Sequence, residues 1–171
     1  MKLLLLSVAL GAATLHAQPG GIFQGWDGEF THVSQQLISL AEATPAEKFT
    51  WRPAPGVRSM SEVYMHIAVG NFFLLSRTGP PMPADIKDDT EKTVTAKADV
   101  IAWLKRSLDA VKAAHPAVKP ADMKRKVKVF GSFEGTVESV YLRILVHNNE
   151  HMGQLIAYAR TNGIVPPWSK E

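Results

Sequence analysis

The sequence contains no cysteine in its 171 residues. This absence excludes disulfide cross-links, cysteine-type zinc sites, iron–sulfur clusters and a cysteine nucleophile. A strong excess of one charge is also missing, because 19 basic and 16 acidic side chains leave a formal net charge of only +3. So weak a positive charge does not favour nucleic-acid binding. What the chain does have is 46% hydrophobic residues, which is too apolar for a disordered protein and sufficient for one domain with its own core.

A long apolar run lies at the N-terminus. Lys2 precedes the apolar residues 3–15, and small residues follow up to Ala17. This order is typical of a cleavable secretory signal peptide, and the run is shorter than the roughly 20 residues of a membrane-spanning helix. We therefore predict a signal peptide over 1–17, a mature domain over 18–171 without a stable membrane span, and export to the periplasm or extracellular space. An N-terminal anchor or a buried first helix is the alternative interpretation.

Four later segments have the periodicity of amphipathic helices, with proline and glycine between them. Apolar residues recur at three- and four-residue spacing in the segments 23–43, 59–78, 95–115 and 136–162. Ser59 and Glu62 form a capping-box pattern, and Thr136 and Gly163 suit the two ends of the last segment. The pattern predicts an all-α four-helix bundle. Between the helices, we expect a surface loop at 82–92 and extended chain near 127–133.

The fourth predicted helix carries a pair of histidines, His147 and His151. Spacing by four residues places both imidazoles on one helix face, one turn apart. Apolar residues share that face, so both rings are predicted to point toward the core, where two neighbouring imidazoles need hydrogen-bonding or metal partners. A single metal ion is the simplest common partner, and imidazole suits zinc, nickel, copper or iron. Glu150 lies off this face, so we interpret it as a surface carboxylate rather than the general base of an HExxH site.

A third ligand must come from another helix, and three histidines of the mature chain are candidates. His115 lies at a helix end beside proline and is interpreted as an exposed cap, while His32 lies off the apolar stripe of its helix. His66 shares a face with apolar residues and therefore points inward. Gly70, one turn further on, leaves space beside the ring for a metal or substrate. We predict that His66, His147 and His151 form the metal site, although a single inward histidine is more often a hydrogen-bonded core residue.

Two segments carry a resemblance to a known family. Residues Ser59–Ile67, with His66, and residues Val146–Arg160, with the run His-x-x-x-His-x-Gly-Gln-Leu-x-x-Tyr, are similar to the DinB-like superfamily of metal-binding four-helix bundles. Trp51–Gly56 and Gly163–Pro167 also resemble that family. The resemblance implies an up-down-down-up bundle with a long crossover between the second and third helices. It also implies one zinc or nickel ion bound by the three predicted histidines, with open positions for water or substrate.

The resemblance leaves the reaction open. Some members activate a low-molecular-weight thiol for transfer or isomerisation, and others resemble hydrolases. We predict a metal-dependent enzyme acting on a small molecule, with Arg77 as a candidate contact for an anionic substrate and Gln154 and Tyr158 as polar residues on the histidine face. Export favours a hydrolase over a thiol transferase, because thiol cofactors are mainly cytosolic. The alternative is a non-catalytic metal-binding or oligomeric interaction module, since Leu142 and Val146 add apolar surface suited to a homodimer.

Overall fold

The computed structural model describes residues 22–169. The predicted signal peptide lies outside this range. Four long helices and one short helix account for most of the described chain, with a two-stranded hairpin before the last helix. In chain order they are α1 (Gly25–Ala43), α2 (Met60–Ser76), the short α3 (Thr90–Thr93), α4 (Lys97–Ala114), β1 (Lys126–Phe130), β2 (Phe133–Thr136) and α5 (Val137–Thr161).

The four long helices surround a single hydrophobic core. Helices α1 and α2 each pack against both α4 and α5. The apolar stripe predicted for the first helix is buried along its length. It consists of Phe30, Val33, Leu37, Leu40 and Ala41. Burial of these side chains supplies most of the driving force for packing, at about 25 cal/mol for each Å² of apolar surface removed from water. The mainly helical fold predicted from periodicity is therefore confirmed.

The ends of the helices follow local sequence signals. Ser59 accepts a hydrogen bond from the Glu62 backbone N–H, and the Glu62 carboxylate accepts one from the Ser59 backbone N–H at 2.6 Å. The predicted capping box is thus present, and Thr136 caps α5 in the same way with Ser139 as its partner. Gly163, which follows the last turn of α5, has φ +74°, a conformation that favours glycine.

The long connection between α2 and α4 differs from the predicted surface loop. It contains α3, and Thr90 at the start of α3 is buried. The Thr90 hydroxyl accepts a hydrogen bond from the Lys87 backbone N–H at 2.8 Å, which ties the connection together. This arrangement holds Glu91 against α2.

The predicted extended segment before the last helix is a β-hairpin. Strands β1 and β2 pair antiparallel, with Lys126 opposite Thr136 and Phe130 opposite Phe133. The Phe130 ring stacks on Phe73 of α2 at a centroid distance of 5.3 Å, which docks the hairpin on the helices. Across residues 22–169, none of the helices combines the length and the apolarity that crossing a membrane requires.

Candidate metal centre

Three histidines from two helices meet in one cluster. His66 comes from the middle of α2, while His147 and His151 come from successive turns of α5. One ring nitrogen from each histidine lies within 4.8 Å of the other two. The Nε2 atoms of His66 and His147 are 3.2 Å apart. The structure thus brings together the same three histidines that the sequence predicts, and within the described residues they are the only group of this kind.

Hydrogen bonds fix the orientation of two of these rings. The Nδ1 atom of His66 lies 2.8 Å from the Glu91 carboxylate, and Nδ1 of His151 lies 2.9 Å from Oε1 of Gln154. Carboxylate and amide oxygens only accept hydrogen bonds, so each Nδ1 carries the proton and donates it. The Nε2 atoms of His66 and His151 therefore keep their lone pairs. Outer partners of this kind orient histidine ligands in metal sites.

The third ring, that of His147, packs closely against α2. A Cβ atom added to Gly70 would lie only 2.7 Å from Cε1 of His147, so no larger residue fits at position 70 without movement. The prediction that Gly70 leaves space for a metal or substrate was wrong about the occupant, because the His147 ring fills that space. The buried Nδ1 atom of His147 has no hydrogen-bond partner among the described residues. The protein therefore leaves a nitrogen of this ring unsatisfied.

The electrostatic environment keeps the two histidines of α5 neutral. Burial, and after it the neighbouring His151 and His66, lower the pKa of His147 to about 4. Burial also lowers the pKa of His151. Both imidazoles are consequently uncharged near neutral pH, which is the form that binds a metal ion. The donor set and its protonation state therefore fit a divalent transition metal.

Glu91 is the functional residue that the sequence analysis missed. Burial would raise the pKa of its carboxyl group, but the hydrogen bond from His66 and the positive charge of Arg58 outweigh burial and lower the pKa. Glu91 is therefore a carboxylate, and Nε of Arg58 lies 3.5 Å from it. No linear motif links Glu91 to His66, since 25 residues and a helix end separate them.

Gln154 and Tyr158 continue the cluster along α5. The side-chain amide of Gln154 donates a hydrogen bond to the Tyr158 hydroxyl at 2.9 Å, which fixes the amide so that its oxygen faces His151. The Tyr158 ring packs edge-on against Trp51. The prediction that both residues share the histidine face is confirmed. Glu150 is exposed and pairs with Arg143, as expected for a surface carboxylate.

The other candidates from the sequence lie outside the cluster. The prediction that His115 is an exposed cap was wrong in part. His115 is the C-cap residue of α4, but its side chain is only 17% exposed. Its ring stacks on Trp26, and its Nδ1 atom is hydrogen-bonded to the Asp27 carboxylate at 2.8 Å. His32 is not part of the cluster. The Arg77 guanidinium lies 4.2 Å from the centre of the Phe73 ring at the end of α2, which fits a helix-end role rather than the predicted substrate contact.

The fold and the cluster together define a class, namely helical proteins in which three histidines from two core helices converge. The model of the DinB superfamily matches residues 29–155, and the chain belongs to that superfamily. A crystal structure of a DinB-like protein from Bacillus cereus ATCC 10987 is similar at 20% identity and a TM-score of 0.73, covering 85% of this chain and 95% of that chain.

A second crystal structure, of a DinB-like protein from Bacillus subtilis, is similar at 17% identity and a TM-score of 0.65. The similarity covers 82% of this chain and 92% of that chain. At such low identity these two likenesses support the fold and not a shared reaction. A search of curated proteins finds no match. These comparisons therefore show the family and the fold but no particular reaction.

Proposed function

We propose that this chain binds one divalent transition metal through His66, His147 and His151 and is a metal-dependent enzyme, either a hydrolase or a thiol transferase. The observation that carries the proposal is the convergence of three ring nitrogens within 4.8 Å of one another. Three protein ligands are typical of catalytic metal sites, since they leave a position for water or substrate. The side chain of His66 is 23% exposed, so the cluster is accessible from one side.

The donor set favours zinc or nickel. All three donors are imidazoles, and the chain has no cysteine that would supply thiolate ligands. When bound, such an ion acts as a Lewis acid and lowers the pKa of a coordinated water or thiol. The chain's own contribution is to orient the donors: Glu91 holds His66, and Gln154 holds His151. The absence of cysteine also means that a thiol in the reaction has to come from a second molecule.

Metal analysis tests the binding step. Purified protein supplied with zinc or nickel is expected to retain about one ion per chain, and His147→Ala to lose it. His32→Ala is the matched control, because His32 is a half-buried helical histidine outside the cluster. Wild-type protein that remains free of metal after exposure to both ions would refute the site.

Activity assays then separate the enzyme from the alternative, a non-catalytic metal-binding or oligomeric interaction module. A panel of ester and thiol substrates is expected to show turnover that His66→Ala abolishes. Metal binding without turnover would favour the binding module. An interaction role would use the outer face of α5, where Leu142 and Val146 are exposed, and sedimentation would detect the resulting homodimer.

Export and bundle direction belong to the same proposal. We propose that residues 1–17 are a signal peptide, because their charge and apolar pattern is that of a cleavable leader. The mass of the protein recovered from the periplasm or medium tests this, and an uncleaved N-terminus would contradict it.

We also propose an up-down-down-up course for the four long helices, which agrees with the packing of α1 and α2 against α4 and α5 and with the long α2–α4 connection.

A further inference from the structure

A cavity of about 700 Å³ lies beside the histidine cluster. Its wall comes from four parts of the chain: the connection between α1 and α2, the first turn of α2, the short helix α3, and α5. The lining side chains with polar or charged groups are Arg52, Arg58, Glu62, Glu91, Lys92 and Gln154. A volume of this order suits a small organic molecule, since ligand pockets commonly measure about 300–1,000 Å³. The cavity is therefore large enough for a substrate and not merely for water.

The cavity touches the cluster through two of its lining residues. Glu91 binds Nδ1 of His66, and Gln154 binds Nδ1 of His151. Both residues therefore face the cavity on one side and a histidine on the other. A molecule in the cavity would therefore be separated from these two rings by a single layer of side chains, those of Glu91 and Gln154. This contiguity makes the cavity the natural substrate site of the proposed enzyme.

The side chains that line the cavity carry a net positive charge, because three of them are basic and two are carboxylates. The carboxylates are the less exposed partners in their ion pairs, because Glu62 is 14% exposed against 43% for Arg52, and Glu91 is 26% exposed against 46% for Arg58. Each guanidinium has five N–H donors and spends only part of them on its carboxylate. An incoming molecule therefore meets positive groups with free hydrogen-bond donors.

Lys92 supplies the positive charge that the lining does not neutralise. Among residues 22–169, no carboxylate forms an ion pair with its ammonium group. The residue is exposed on α3, directly after Glu91. Lys92 therefore takes no part in the core, and its replacement is expected to change the free energy of unfolding only slightly. Among the described residues, the two paired carboxylates are the only acidic side chains that line the cavity.

We propose that this cavity binds a small organic anion, carrying a carboxylate or phosphate group held by Lys92 and the free N–H groups of Arg52 and Arg58. The inference rests on the proposed function, because it names the substrate class of the same site. Arginine and lysine recognise both anion types through charge-assisted hydrogen bonds. The substrate's reactive group would then point toward the histidines, and the anionic group would anchor it.

Calorimetric titration tests the anion site separately from the metal. Succinate and inorganic phosphate are titrated into metal-free and nickel-loaded protein, with succinamide as the uncharged control. Binding of at least one anion and not of succinamide is expected in both forms. Lys92→Met should weaken the binding by about tenfold, the usual size of one lost charge-assisted bond. Lys92→Arg should restore most of it. Lys87→Met is the matched control, because Lys87 is exposed in the same connection but does not line the cavity.

The outcomes separate the two proposals. Succinate binding without phosphate binding assigns a carboxylate substrate, and the reverse assigns a phosphate. Equal affinity of Lys92→Met and wild type, or equal binding of succinamide, overturns the anion site even where nickel is retained. Failure to retain either nickel or zinc, with anion binding intact, instead refutes the metal proposal alone. Nickel content is measured in the same samples, so each failure is recognised.

Discussion

Gly70 shows how much of the site depends on one missing side chain. The sequence correctly predicts an inward face for His66, but it predicts space for a metal or substrate at Gly70, which His147 fills instead. It does not predict that the space receives His147, because that contact crosses from α2 to α5. The approach of an imidazole to a helix backbone follows only from how the two helices pack.

Gly70→Ala is expected to weaken metal binding on the order of tenfold, because the new Cβ would push the His147 ring out of line with the other two. A chelator-competition titration measures the dissociation constant. Gly153→Ala is the control. Gly153 lies on the same helix as His147, and a Cβ added there would meet no atom within 4 Å. Unchanged affinity in Gly70→Ala would show that the close contact does not constrain the ring.

Glu91 acts on the metal site through His66 and is therefore a positioning residue. Glu91→Gln is expected to reduce metal affinity about 10–100-fold, the usual effect of removing an outer carboxylate from a histidine ligand. The free energy of unfolding of the metal-free protein should change by less than about 0.5 kcal/mol, since the side chain is partly exposed. Glu47→Gln, at an exposed carboxylate in another loop, should alter neither quantity. Loss of stability without loss of affinity would contradict the positioning role.

At the scale of elements, a buried amide pair joins α2 to α5 beside the histidines. The side-chain Nδ2 of Asn148 donates a hydrogen bond to Oδ1 of Asn71 at 2.7 Å, and Nδ2 of Asn71 donates one to Oδ1 of Asn148 at 3.4 Å. Both side chains are fully buried. Asn71 follows Gly70 and Asn148 follows His147, so the pair fixes the alignment of the two helices at the contact that the site requires.

Asn148→Ala is expected to destabilise the metal-free protein by about 1–3 kcal/mol, because the Asn71 amide would be left buried without this partner. Asn149→Ala is the neighbouring control: Asn149 is exposed, and its loss should cost less than about 0.5 kcal/mol. Urea unfolding followed by circular dichroism measures both. Equal effects of the two substitutions would mean that the buried pair contributes nothing to stability.

The sequence predicts the long helices better than the short elements. Capping residues and prolines are local signals, so Ser59 and Thr136 mark the helix starts correctly. The four-residue helix α3 could not be predicted in this way. A helix of that length is unstable in water by itself, so it forms only through tertiary contacts. It forms where Thr90 is buried, and Glu91 is therefore visible only in the folded chain.

At the scale of the whole molecule, the site joins parts of the chain that are distant in sequence. His66 and His147 are separated by 81 residues and meet only when α2 and α5 pack. Periodicity predicts that each histidine points inward, but it contains no information on which inward residues of different helices face one another. His66 could be chosen from the sequence because, unlike His32 and His115, it shares a helix face with apolar residues, and the residues around it also resemble a known family.

Because the ligands converge only in the folded state, the metal is expected to stabilise the fold. At a free metal concentration of one hundred times the dissociation constant, the gain is about 2.7 kcal/mol. Thermal unfolding with and without zinc measures it, and the midpoint should rise in wild type but not in His147→Ala. A rise of equal size in both proteins would place the stabilising ion elsewhere.

Anomalous diffraction from zinc- or nickel-loaded crystals tests the central claim most directly. The account predicts one strong peak at the metal absorption edge, about 2.0–2.1 Å from one nitrogen each of His66, His147 and His151. A map with no peak among these three rings, or with peaks only at other residues, would contradict it.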